Sequence, residues 1–161
     1  MNIIECTIKM RREAQANYAN LSMATENREM QRLFALLAAA EDEHIDKLLA
    51  LNEEFKLSAS VESRLDGSVC VYHPSIDFRN PGKALRNDPD AYSHVLQDEE
   101  ETIEFFDRLV AQAKDDPMRK ICEIAAEKER EHLLMVENIY SFVEDPRTFL
   151  EWGEFSNIRT L

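Results

Sequence analysis

One stretch of the sequence indicates a long helix with a polar site on its buried face: Ile121-Cys122-Glu123-Ile124-Ala125-Ala126-Glu127-Lys128-Glu129-Arg130-Glu131-His132-Leu133. Apolar residues recur at helical spacing through and beyond it: Met118, Ile121, Cys122, Ala125, Leu133, Val136, Tyr140 and Val143. Glu129 and His132 fall on the same stripe, which a helix normally buries. Because residues three apart project from one helical face, this carboxylate and this imidazole can hold one metal ion together.

The composition favours a single all-α domain built from long amphipathic helices. The chain has 161 residues, of which 44% are apolar and 32% charged, with only 3 Gly and 5 Pro. This length suffices for one proper core, and the scarcity of turn-forming residues argues against sheets. The formal net charge of -13 would repel nucleic acid and anionic membrane and attract cations. We therefore expect neither nucleic acid nor membrane as a partner, and we expect most of the charge to be a solvated surface.

The three cysteines, Cys6, Cys70 and Cys122, are widely spaced, and no Cys-x-x-Cys occurs. The pattern encodes neither a redox disulfide motif nor a thiolate metal site, and free thiols fit a reducing compartment. The N-terminal residues do not resemble a signal peptide. The longest strongly apolar run, 33–40, is too short to span a bilayer. We expect a cytoplasmic protein whose thiols are free.

The periodicity predicts two helical hairpins, about 3–56 and 89–143, in one domain. Cap-type residues at 25–27 interrupt the first hairpin, and Asp115-Asp116-Pro117 interrupts the second. Residues 57–88 lose the period, which predicts a long crossover. Asp-Pro pairs at 88–89, 116–117 and 145–146 have the chemistry of helix starts. The last pair predicts a short terminal helix, about 146–155, which packs across a bundle end or a subunit partner through Trp152.

An offset of 88 residues relates the two predicted hairpins. It pairs the polar candidates of one hairpin with those of the other: Glu13 with Glu101, Glu41 with Glu129, and His44 with His132. In an antiparallel hairpin, two residues lie at equal height when the turn is midway between them. The midpoints fall at Asn27 and Asp115, inside the predicted turns. We therefore expect four glutamates and two histidines to meet at one level inside the bundle.

Carboxylates gathered in an apolar core need protons or cations, because burial of each ion costs several kcal/mol. Mixed carboxylate and imidazole ligation suits iron or manganese, with zinc as a substitute. Two metals about 3.5–4 Å apart would use all six side chains, a ligand set known from di-iron carboxylate bundles. The alternative is a structural bundle whose acidic residues bind no metal, and chelation would not change its melting temperature.

The two hairpins together resemble the ferritin-like domain of rubrerythrins. The residues on which the resemblance is based are Glu13 with Tyr18 and Leu21, Ala38-x-x-Glu41-x-x-His44, Glu101 with Phe106 and Leu109, and Ala126-x-x-Glu129-x-x-His132. The resemblance implies a ferritin-like four-helix bundle with a long crossover, and two iron ions held by the six paired residues. It also implies a seventh ligand, Glu104, three residues after Glu101. In the family this extra glutamate exchanges with a histidine on one iron as the redox state changes, and here that histidine would be His44.

The same resemblance implies a non-haem di-iron oxidoreductase that reduces hydrogen peroxide. Rubrerythrins usually carry a rubredoxin module with two Cys-x-x-Cys pairs, and this sequence has none. We therefore expect electrons from an external donor protein, and no catalytic residues beyond the metal ligands. The alternative is a ferroxidase that stores or delivers iron within a cage. A homodimer is expected for the peroxidase and a cage for iron storage.

Overall fold

The computed structural model describes residues 2–58, 70, 72–74, 79, 91–114 and 116–144. Four α-helices form within these ranges: α1 (Ile3–Ala24), α2 (Arg28–Ser58), α3 (Ala91–Gln112) and α4 (Asp116–Glu144). Helix α1 packs on α2, α3 packs on α4, and α2 joins the two hairpins by packing on α4. This arrangement confirms the predicted all-α four-helix bundle. The helix start at 88–89, most of the crossover and the terminal helix at 146–155 lie outside the described residues.

Asparagine caps fix the starts of the first two helices. The Asn2 side chain accepts from the Glu5 backbone N–H (2.8 Å), and the Glu5 carboxylate accepts from the Asn2 N–H (3.1 Å), which makes a capping box. Asn27 accepts from the N–H groups of Glu29 (2.9 Å) and Met30 (3.2 Å) at the start of α2. Three residues outside the helices, 25–27, therefore suffice to turn the chain between two long helices.

The buried apolar residues form two clusters. One contains Ala14, Tyr18, Leu21, Leu33, Phe34, Leu37, Ala38, Val95 and Val136. The other contains Ile3, Ile4, Ile8, Ile45, Leu48, Phe55, Phe106, Ala125 and Ala126. Each helix contributes to both clusters. On each helix a short interval with buried polar residues separates the clusters: Arg11 on α1, Glu41 and His44 on α2, Glu99 on α3, and Glu129 and His132 on α4. The four intervals define one level of the bundle at which charged residues replace the apolar core.

A disulfide bond joins Cys6 of α1 to Cys70, 64 residues later in the predicted crossover. Cys122 is free and buried. The expectation of three free thiols is therefore wrong for two of them. Spacing along the sequence could not show the bond, because it depends on where the crossover returns to α1. The argument from free thiols to a reducing compartment no longer holds, and the cytoplasmic location stays a prediction.

None of the described helices is both long enough and apolar enough to cross a membrane.

Candidate metal centre

Six side chains meet at the polar level of the bundle. Helices α1 and α3 give one each and α2 and α4 give two each: Arg11, Glu99, Glu41, His44, Glu129 and His132. All six residues are buried, and Glu129 is completely inaccessible to solvent. Because each element is a long helix held by apolar residues above and below this level, the side chains are fixed in position by the surrounding core.

Arg11 lies at the centre of this cluster and donates to three carboxylates. Its Nη1 donates to Glu99 Oε1 (2.8 Å) and to Glu41 Oε1 (3.1 Å). Its Nη2 donates to Glu99 Oε2 (2.7 Å) and to Glu129 Oε2. The contact with Glu99 is bidentate, which is the geometry in which a guanidinium binds a carboxylate most strongly. Arg11 thus connects α1 to all three other helices.

The two histidines bind the carboxylates of the opposite hairpin. His44 Nε2 lies 2.8 Å from Glu129 Oε1, and His132 Nε2 lies 2.9 Å from Glu41 Oε1. The imidazole rings stack with their centroids 4.4 Å apart and their planes inclined by 14°. The crossed pairs follow the 88-residue offset, since Glu41 corresponds to Glu129 and His44 to His132. The interior therefore has approximate two-fold symmetry at these four residues.

The chain itself supplies cations to the three buried carboxylates of the cluster. Burial raises the pKa of Glu99 and of Glu129. The charge of Arg11, together with His132 at Glu99 and His44 at Glu129, outweighs this effect and lowers both pKa values. Burial lowers the pKa of His132, whereas the charges of Glu41 and Glu99 raise it, with a net result of about 10. Two cations, Arg11 and the His132 imidazolium, thus face the buried carboxylates at neutral pH.

The structure brings Glu41, His44, Glu129 and His132 together as the sequence predicted, but it leaves Glu13, Glu101 and Glu104 on the exposed faces of α1 and α3. Glu13 is 43% exposed and pairs with Lys9 (3.1 Å) on its own helix. Glu101 accepts from Gln97 (3.1 Å), one turn earlier on α3. The expectation that these three carboxylates converge in the interior is therefore wrong.

The residues that do occupy the interior from α1 and α3 are Arg11 and Glu99, two positions before the predicted ones. The apolar stripe of α1 contained the signal, because Ile4, Ile8 and Tyr18 place position 11 on the buried face. The 88-residue offset also pairs Arg11 with Glu99. The predicted ligand set did not include this pair, because an arginine side chain does not bind metal.

A cavity of about 270 Å³ reaches the cluster from between α1 and α3. Its lining includes Arg11, Glu99, Tyr18, Tyr72, His73 and Asp98. The Tyr72 hydroxyl hydrogen-bonds the side chains of Asn17 and Tyr18, and the Tyr72 N–H donates to Glu13 (3.3 Å). The disulfide at Cys70 anchors this segment to α1. The cavity gives a small polar molecule a route to the buried charges.

A four-helix bundle with buried carboxylates and imidazoles at mid-height defines a ferritin-like protein. The family model described as Rubrerythrin matches residues 2–140, and this chain belongs to the rubrerythrin family. Searches among curated proteins and among solved structures gave no match. Family membership implies a di-iron site.

The side chains present do not fit a two-metal set. That set takes one glutamate from each of two helices and a Glu-x-x-His pair from each of the other two. Here α1 offers Arg11, and a guanidinium keeps its proton and has no lone pair for a metal. One ion does fit, because Glu41, Glu99 and His132 offer ligand atoms that lie within 4.8 Å of one another. Glu41 Oε2 is buried and finds no hydrogen-bond partner among the described residues, so it has a lone pair free for such an ion.

Proposed function

We propose that this protein is a metal-dependent oxidoreductase of the rubrerythrin type, with iron as its metal. The observation that carries the proposal is the buried group of Glu41, Glu99 and His132, whose ligand atoms share one small volume. Carboxylate and imidazole ligands suit iron and manganese, and zinc can substitute for them. Iron supplies the electron transfer that carboxylates and imidazoles cannot perform themselves.

Hydrogen peroxide is the substrate that we favour. Its reduction breaks the O–O bond, consumes two electrons and two protons, and releases two water molecules. The cavity between α1 and α3 gives a molecule of this size a path to Glu99 and Arg11. The electrons come from an external donor protein in this proposal, and the protein acts as a homodimer.

A second candidate is oxidation and handling of ferrous iron. Three acidic residues, Asp98, Glu99 and Glu101, line the same cavity, and Glu101 is exposed. Carboxylates along a route into the protein attract cations. This observation favours entry of ferrous ions, which a storage or delivery protein requires.

The experiment starts from protein purified from iron-supplemented cells, whose metal content is measured. The protein is reduced without oxygen and mixed in a stopped-flow instrument with peroxide or with dioxygen. We expect bound iron and a faster reaction with peroxide. Faster oxidation by dioxygen, together with the native mass of a cage, supports the second candidate instead. Protein that binds no metal contradicts both.

A matched pair of variants on α2 assigns the reaction to the centre. Glu41→Gln removes a buried carboxylate of the cluster, and Glu43→Gln makes the same change at an exposed position on the same helix. We expect Glu41→Gln to lose both bound metal and reaction, and Glu43→Gln to retain both. Equal behaviour of the two variants would place the chemistry elsewhere.

A further inference from the structure

The interior of the bundle departs from its two-fold symmetry at one pair of residues. The 88-residue offset relates glutamate to glutamate and histidine to histidine on α2 and α4. On α1 and α3 the same offset relates Arg11 to Glu99. The half of the centre next to α3 therefore has a glutamate where the half next to α1 has an arginine.

The contacts of Arg11 show that its guanidinium occupies the interior and does not extend to solvent. Both of its terminal nitrogens donate to carboxylates, and these carboxylates come from α2, α3 and α4. The Arg11 side chain is 8% exposed. A guanidinium with acidic partners on three sides neutralises charge at this place as a metal cation would.

We propose that Arg11 is a permanent cation in place of one of the two metals, so that the centre binds a single ion between Glu41, Glu99 and His132. This inference rests on the proposed metal binding. The single ion uses the free lone pair of Glu41 Oε2 and further lone pairs of the Glu99 carboxylate, since each carboxylate oxygen accepts more than one partner.

Three physical effects exclude the second ion. The position on α1 supplies a proton donor in place of an anionic ligand. The Glu129 carboxylate, which a second ion would need as a ligand, already accepts from Arg11 and lies 2.8 Å from His44 Nε2. A second divalent cation would also add to the positive charge of Arg11 and of the first ion inside a buried site, where solvent screens it little.

The test is the number of metal ions per chain. The purified full chain is loaded anaerobically with ferrous iron, freed of loosely bound metal, and analysed for iron per chain by elemental analysis and native mass spectrometry. We expect one ion in the wild-type protein. Two ions overturn this inference and leave the proposed function intact, whereas no bound ion overturns the proposed function as well.

Replacing either of two neighbouring arginines on α1 by glutamate makes the test specific. Arg11→Glu completes the six-ligand set and is expected to raise the content from one ion to two. Arg12→Glu introduces the same charge on the exposed face of the same helix and is expected to leave one. A folded Arg11→Glu protein that still binds one ion overturns the claim that Arg11 excludes the second.

A spectroscopic measurement on the wild-type protein covers the case in which Arg11→Glu does not fold. The protein is loaded with excess Mn²⁺ and its electron paramagnetic resonance spectrum is recorded. We expect the hyperfine pattern of an isolated ion. The spectrum of a magnetically coupled pair would overturn the inference without any substitution.

Discussion

The two hairpins present the same Glu-x-x-His pair to the interior, yet they differ in the residue that faces it. The second hairpin places Glu99 of α3 beside its pair, and the first places Arg11 of α1 there. One half of the centre therefore has an additional anionic ligand, and the other has a counter-ion for the carboxylates of both halves. The same backbone arrangement can thus give a metal ligand or an internal salt bridge, depending on one side chain.

This difference determines how the protein behaves without metal. Four glutamates in an apolar core would depend on metal or protons for charge balance. Here the buried carboxylates have a cation that belongs to the chain itself. Two unit charges about 4 Å apart interact by about 4 kcal/mol at an effective dielectric constant of 20. A second divalent ion, beside both the guanidinium and the first ion, would therefore be strongly disfavoured, and the metal-free fold should be stable.

Arg11→Met is expected to have the largest effect on the stability of the metal-free protein. It leaves Glu41, Glu99 and Glu129 buried without the cation that they share, which costs about 3–5 kcal/mol of unfolding free energy. Urea unfolding after chelation measures this loss. Arg12→Met removes an exposed arginine from the same helix and should change stability by less than about 0.5 kcal/mol. Equal stabilities for the two variants would show that Arg11 does not compensate the cluster.

The sequence predicted the helices better than the inward-facing residues, for a geometric reason. Equal distances from a turn place two residues at one height, and an error of two residues changes that height by only about 3 Å. The same error rotates a side chain by about 200° around the helix, from the interior to solvent. The pairs on α2 and α4 lie in the interior, because glutamate and histidine three apart had to share the buried stripe. Glu13 and Glu101 had no such second constraint.

The disulfide gives the first hairpin an attachment to the crossover at Cys70. Replacing Cys6 and Cys70 by alanine should lower the unfolding free energy by about 2–4 kcal/mol, because the bond closes a long loop in the unfolded chain. Thermal unfolding with and without reductant measures the effect. Reductant should destabilise the wild type and the Cys122→Ala control alike, while leaving the double variant unchanged. A wild type insensitive to reductant under conditions that reduce the bond would contradict this expectation.

The pH dependence of stability tests the half of the centre next to α3, where His132 lies between Glu41 and Glu99. The folded pKa of His132 is about 10, raised from 6.5, so its stabilising contribution is complete below 6.5 and is lost as the pH rises through 10. Metal-free wild type should therefore lose about 1–3 kcal/mol of unfolding free energy between pH 7 and pH 9. Urea unfolding across this range should show a shallower decline for His132→Gln. The exposed-residue control His73→Gln should keep the wild-type slope, and an unchanged slope in His132→Gln would contradict the assignment.

The smallest expected effect distinguishes two asparagine caps within the first hairpin. Asn2 caps α1 and also donates from its side chain to Asn52 Oδ1 of α2 (3.0 Å), whereas the side-chain contacts of Asn27 are with the start of α2. Loss of an N-cap costs about 1 kcal/mol. Because Asn2 also joins the two helices at the end opposite the turn, Asn2→Ala should destabilise the protein by about 0.5–1 kcal/mol more than Asn27→Ala. Urea unfolding of the two variants measures this difference. If Asn27→Ala were as destabilising, the contact between Asn2 and Asn52 would add nothing to the hairpin. The attachment of α1 to α2 beyond the turn would then rest on the apolar core and on the contact of Arg11 with Glu41.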